Sequence, residues 1–195
     1  MSTLEKRVEA CCGTILQFVP EFWEDRNRAM LELTVAVGEY EGAGVAEVQE
    51  VFTTQLFRTM REPIRSMVSD LRSLQIRDTC LFLIKLSLVC RDHVRLFLRE
   101  VFPALLVALK VPNKVMSAYV DDCIRQMIGN ANFRVCLPML VADIRESKVS
   151  VFDMSPLRPY PIGIPVYKHT LTRSLTYLLT YSPTLYLALQ GQVCS

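Results

Sequence analysis

The run Leu81-Phe82-Leu83-Ile84-Lys85-Leu86-Ser87-Leu88-Val89 is apolar nearly all round, and as a helix it would need cover on most of its circumference. It follows a charged corner, Ser69-Asp70-Leu71-Arg72-Ser73, by way of Ile76-Arg77-Asp78-Thr79-Cys80. Two weaker versions of that corner lie downstream, at Pro112-Asn113-Lys114 and Ser147-Lys148. Such a helix must have neighbours on several sides. Repeated helices with basic corners along one edge describe an all-α solenoid that grips a partner.

The bulk properties agree with this. A chain of 195 residues is about one domain, long enough to bury a real core. Apolar content is high, at 51%, and there are only seven glycines, which favours helices over a sheet fold rich in tight turns. The net charge of +2 is no global nucleic-acid signature, so any useful basicity must be local. Glu5, Lys6, Arg7 and Glu9 occupy the first turns, where a secretory signal would need an apolar core. Cys80, Cys90, Cys123 and Cys136 sit among leucines, isoleucines and valines and read as buried thiols in a reducing cytosol. The adjacent Cys11-Cys12 pair has no obvious packing pattern, and its spacing suits no zinc site.

A repeat is visible. Pro63, Pro103 and Pro138, spaced by 40 and 35 residues, each lie near the start of an apolar helical segment. The spacing is close to the period of HEAT-like helix pairs, and proline suits a helix's first turn. Each unit therefore reads as helix, turn, proline-started helix and corner. Helices are expected over Leu4–Val19, from Glu21-Phe22-Trp23-Glu24 to Val37, and over Val45–Val68 with Pro63 kinking or restarting it. Further helices follow over Leu71–Cys90, His93–Lys110 with Pro103 either within or restarting it, Asn113–Ile128 and Phe133–Arg145. Asp70 and Asn113 are the expected N-caps.

After Asp153 the chain changes character. No acidic residue follows, Pro156 to Pro165 holds four prolines, and five of the seven tyrosines lie there. From Ser174 to Ser195 there is no charge. The division is an N-terminal helix (1–21), a repeat array (22–153) and a Pro/Tyr-rich tail (154–195) expected to be poorly ordered. The tail's apolar stretch, Ser174 to Leu189, is shorter than the ~20 residues of a spanning helix and contains Pro183. A membrane anchor is not expected.

Asp70-Leu71-Arg72-Ser73 with Ile76-Arg77-Asp78-Thr79-Cys80 resembles the "DLRS…V(R/K)EAC" signature of the CLASP N-terminal domain. That domain is a TOG-type HEAT array of microtubule plus-end regulators. Trp23-Glu24-Asp25-Arg26, with Ala29 and Leu33, looks like the family's first-repeat "W-x-x-R" corner. Lys114-Val115-Met116, Ile124-Arg125 and Ile128 resemble its third repeat, and Ser147-Lys148-Val149 its fourth corner. The resemblance spans roughly residues 22 to 151. Tyr119 stands where the family places small residues, and Val151-Phe152-Asp153 where it places arginines. The later TOG repeats give way to the tail, so the array is incomplete.

What the resemblance implies is a tubulin-binding module of a regulator that favours microtubule growth or stabilisation, in the cytoplasm on microtubules, including spindle and kinetochore. Other plus-end proteins would be engaged only through regions the chain lacks. Trp23 would anchor the first corner with Arg26 beside it, and Arg72, Lys114 and Lys148 would supply cations to the acidic αβ-tubulin surface. Taken singly, Trp23 reads as a core-capping residue, and Arg72, Lys114 and Lys148 as solvated loop residues. Their recurrence at matched positions favours an interface. Arg77, a turn into its helix, is in reach of a neighbouring carboxylate. His93 and His169 have no Cys/Asp/Glu grouping around them, and nucleophile motifs, phosphate loops and paired catalytic carboxylates are missing. The expectation is no enzyme, no cofactor, no metal and no nucleic-acid partner. The alternative reading is a general HEAT/armadillo-type scaffold binding another protein or peptide, although the asparagine ladders of armadillo grooves are lacking.

Overall fold

The computed structural model of the chain describes residues 2–17, 22–70 and 72–146. Lys148 and the 154–195 tail lie outside them, as does Leu71. The described residues are all-helical: α1 (Thr3–Ile15), α2 (Trp23–Gly38), α3 (Val45–Val51), α4 (Thr54–Val68), α5 (Ser73–Cys90), α6 (Arg95–Leu109), α7 (Lys114–Asn130) and α8 (Leu137–Glu146). Single 3-10 turns at Arg91–Val94 and Phe133–Cys136 lead into α6 and α8.

Local chemistry sets several of these boundaries. α1 begins with a capping box: the Glu5 N–H donates to Ser2 Oγ at 3.1 Å and the Ser2 N–H to Glu5 Oε2 at 2.6 Å. α1 ends at Ile15, short of the expected Val19. The stretch from Val45 to Val68 is two helices, and the break falls at Phe52-Thr53 rather than at Pro63. Thr53 Oγ1 accepts the Leu56 N–H at 3.2 Å and so caps a new helix, whereas Pro63 lies buried inside it. Pro103 is likewise interior to α6, one of the two placements expected for it. The reading of prolines as helix starters therefore fails for these two and holds for Pro138, the second residue of α8. Asn113 caps α7, accepting from Val115 at 3.0 Å and Met116 at 3.3 Å. Asp70 does not cap α5. The cap position belongs to Arg72, and Asp70 Oδ1 instead accepts the Arg72 N–H at 2.9 Å, shaping the turn before the helix.

Helices α2, α5 and α7 lie side by side; α4 packs on α1, α5 and α6, and α6 packs on α7 and α8. The core runs between these two rows through Met30, Leu33, Met60, Ile64, Leu83, Leu86, Val101, Phe102, Val120 and Met127, all nearly inaccessible. Cys11 and Cys12 are both buried, because α1 packs against α2 and α4 at once and two neighbouring helical positions each meet a partner. The apolar run of α5 is covered except at Leu81 and Leu88, which remain 49% and 38% exposed.

Candidate partner-binding edge

Four side-chain hydrogen bonds fix how the first row of helices is aligned. Gln75 Nε2 donates to the Trp23 carbonyl at 3.1 Å and Asn27 Nδ2 to Asp78 Oδ2 at 2.9 Å, across separations of 52 and 51 residues. Cys123 Sγ donates to the Cys80 carbonyl at 3.6 Å and Asn130 Nδ2 to Ser87 Oγ at 3.1 Å, both 43 residues apart. The offsets are nearly constant along each pair, so α2, α5 and α7 run parallel and in register. Their N-terminal turns therefore share one edge. Trp23 opens α2, Arg72 caps α5 and Lys114 opens α7, and the fold brings these three together along it.

The residues differ in what they offer a partner. Arg72 and Lys114 are exposed, Trp23 is half-buried, and the preceding Phe22 is 48% exposed. Val115 and Tyr119 add exposed apolar surface at the α7 end. Arg26 behaves otherwise. It is turned inward: Nε donates to the Ile15 carbonyl at 2.9 Å, Nη2 to Ser66 Oγ at 3.1 Å, and Nη1 lies 3.3 Å from Asp70 Oδ2. A cation 6% exposed and so engaged is not on the rim, which corrects the expectation that it stands beside Trp23 at the interface. Arg26 instead ties the end of α1, the last turn of α4 and the corner before α5 to the start of α2.

Asp78 is the residue that sequence reasoning passed over. Its carboxylate is 1% exposed and takes Asn27 on one oxygen and Arg77 Nε, at 2.7 Å, on the other. That hydrogen bond holds the Arg77 guanidinium above its usual pKa. The reach of Arg77 to a carboxylate was visible in sequence, but the carboxylate is its immediate neighbour and not one a helical turn away. The buried oxygens Asn27 Oδ1 and Gln75 Oε1 accept no hydrogen bond from the protein.

Other chemistry is sparse. Among the described residues no three His, Cys, Asp or Glu side chains come together as a metal site would require. Among them, too, no helix is long and apolar enough to cross a membrane. His93 Nε2 is 2.7 Å from the Phe52 carbonyl and its ring lies against Phe57. It borders a hollow of about 590 Å³ at the opposite ends of α2 and α5, with Tyr40, Val48 and Leu88. Comparison with family models, with curated proteins and with solved structures gave no match.

Proposed function

We propose that this chain is a non-enzymatic protein-binding module, an incomplete solenoid of HEAT-like hairpins whose corner edge binds αβ-tubulin on microtubules. In this reading α1 with α2, α4 with α5 and α6 with α7 are the successive packed hairpins, and Trp23, Arg72 and Lys114 stand at the intra-repeat corner loops within them. The observation that carries it is the common register of Trp23, Arg72 and Lys114, three turns that the resemblance to the CLASP N-terminal domain assigns to the tubulin-facing side. Supporting it are the half-buried indole and the flanking cations, an aromatic anchor with a charged rim being a frequent arrangement at protein interfaces. Arg72 and Lys114 would steer and orient an acidic partner, with an effect that weakens as salt rises. Lys148, outside the described residues, would extend the row. Growth-promoting activity and a cytoskeletal location belong to the same proposal.

Microtubule co-pelleting of the full chain at two salt concentrations is the test. The expected result is salt-sensitive pelleting that drops at least fivefold in Arg72→Glu/Lys114→Glu and in Trp23→Glu, with helicity by circular dichroism unchanged. Pelleting that is absent at low salt, or that all the variants retain, would overturn the assignment.

A further inference from the structure

The second row of helices carries a different feature. Several surface arginines elsewhere are tied to carboxylates: Arg7 to Glu39 at 2.8 Å, Arg28 to Asp25 at 3.0 Å and Arg125 to Asp121 at 2.8 Å. Arg58 on α4 and Arg95 and Arg99 on α6 are all exposed, yet among the described residues none of them forms an ion pair. They share one level of the fold. The Phe57 and Phe97 rings are 5.5 Å apart, His93 reaches the Phe52 carbonyl, and Arg61 Nη1 meets Glu100 Oε2 at 3.3 Å, so α4 and α6 run parallel and in register. Arg58 adjoins Phe57 in sequence, and Arg95 and Arg99 flank Phe97. Arg95 and Arg99 also stand one helical turn apart as like charges, an arrangement that works against the helix.

The asymmetry extends to the whole chain. Residues 1–53 hold ten Asp and Glu against four Lys and Arg, whereas residues 54–146 hold nine against fourteen. The unpaired arginines thus lie in the basic portion, with Leu96, 53% exposed, among them. Single-stranded nucleic acid is normally held by exposed aromatic platforms. On this row Phe57 and Phe97 are buried, and the exposed aromatics among the described residues, Phe22 and Tyr119, stand just before α2 and on α7. Guanidiniums spread over two helices beside an aliphatic side chain suit carboxylates on a peptide that also presents an apolar residue.

We propose that the α4/α6 face is a second interaction surface, which takes an acidic protein segment whose carboxylates pair with Arg58, Arg95 and Arg99 and whose apolar residue covers Leu96. The experiment is fluorescence anisotropy of the full chain with a labelled peptide of alternating Glu and Leu, a Lys/Leu peptide of equal length, a labelled oligo-dT and phosphatidylserine vesicles. The expected result is binding of the Glu/Leu peptide at low salt, weakened at least tenfold in R58E/R95E/R99E, largely kept in R58K/R95K/R99K and unchanged in R28E. Circular dichroism verifies that each variant is folded; should the triple reversal not fold, R99A carries the test with an expected loss of at least twofold. Peptide binding unaffected by the reversals, no binding at low salt, or oligo-dT or vesicles bound as tightly as the peptide would each overturn the proposal. Trp23→Glu should leave peptide binding intact, so the outcome is independent of the tubulin reading.

Discussion

Arg26 Nη1 lies 3.3 Å from Asp70 Oδ2, with only 7% and 9% of the two side chains exposed, so a nearly buried ion pair joins the first corner to the second. Asp70 also receives the Arg72 backbone N–H, and the Arg72 guanidinium is 3.4 Å from the same carboxylate. The pair therefore sets the shape of the turn that presents Arg72. Removing one partner strands the other charge inside. Arg26→Ala should cost about 3–5 kcal/mol in urea unfolding, while Arg72→Ala, which removes an exposed partner, should cost less than about 1 kcal/mol. Equal costs for the two would contradict the inward assignment of Arg26.

The Asn27–Asp78 hydrogen bond joins α2 to α5 near the same edge. Asn27→Ala leaves one oxygen of a buried carboxylate without its amide donor, and the expected loss is about 1–3 kcal/mol. Because Asp78 keeps Arg77, the variant should still fold, with an unchanged denaturant slope. A destabilisation below the error of the measurement would show that the bond contributes little.

Asn113 accepts two backbone N–H groups at the start of α7. Asn113→Ala should lower stability by about 0.5–2 kcal/mol, and Asn113→Ser by much less. Thermal unfolding of the two side by side is the check, and equal melting temperatures would remove the cap from the account.

Arg91 ends α5 at φ 46°, ψ −124°, a conformation that side chains with a Cβ seldom adopt. Glycine takes it without a steric penalty. Arg91→Gly should therefore leave stability unchanged or raise it by up to about 1 kcal/mol, whereas Arg91→Val should lower it. Chemical denaturation of both variants reads the sign, and a clear loss in Arg91→Gly would mean the side chain contributes more than its backbone strain costs.

Burial pushes the Cys12, Cys90 and Cys136 thiols up to about 12 from an ordinary value of 9.0. Cys123 is pushed well up for the same reason. The folded state thus favours the protonated thiol. Its stabilising effect is complete below pH 9 and is lost as pH rises from about 9 through 12. In a Cys194→Ser background, a thiol reagent at pH 8 should react with the described cysteines only as fast as the protein opens, and the urea midpoint should fall between pH 8 and pH 10.5. Rapid labelling of the native protein would place at least one of these thiols at the surface.

The all-helical character, the N-cap at Asn113 and the burial of Cys80, Cys90, Cys123 and Cys136 were legible in the sequence. Each follows from local periodicity, or from one side chain satisfying a nearby N–H group. Other features were not. The break at Phe52-Thr53 competes with a proline that looks like the stronger breaker, and Thr53 prevails because its hydroxyl caps a helix whose Pro63 is buried. Cys11 and Cys12 are buried because α1 meets two helices at once, which no single-helix pattern encodes.

The corner motifs show the same division. Their spacing marked Trp23, Arg72 and Lys114 as equivalent turns, and hydrogen bonds between residues 43 to 52 positions apart align those turns on one edge. Local sequence placed Arg26 next to Trp23 but could not say which way it faces. That was decided by Ile15, Ser66 and Asp70, the last two 40 and 44 residues away, because a buried guanidinium is stable only where acceptors from several elements converge. The sequence alone determines that the chain is built of helices and marks several of their turns, such as the one before Asn113. Only tertiary packing determines which charges stay in water and which are held inside.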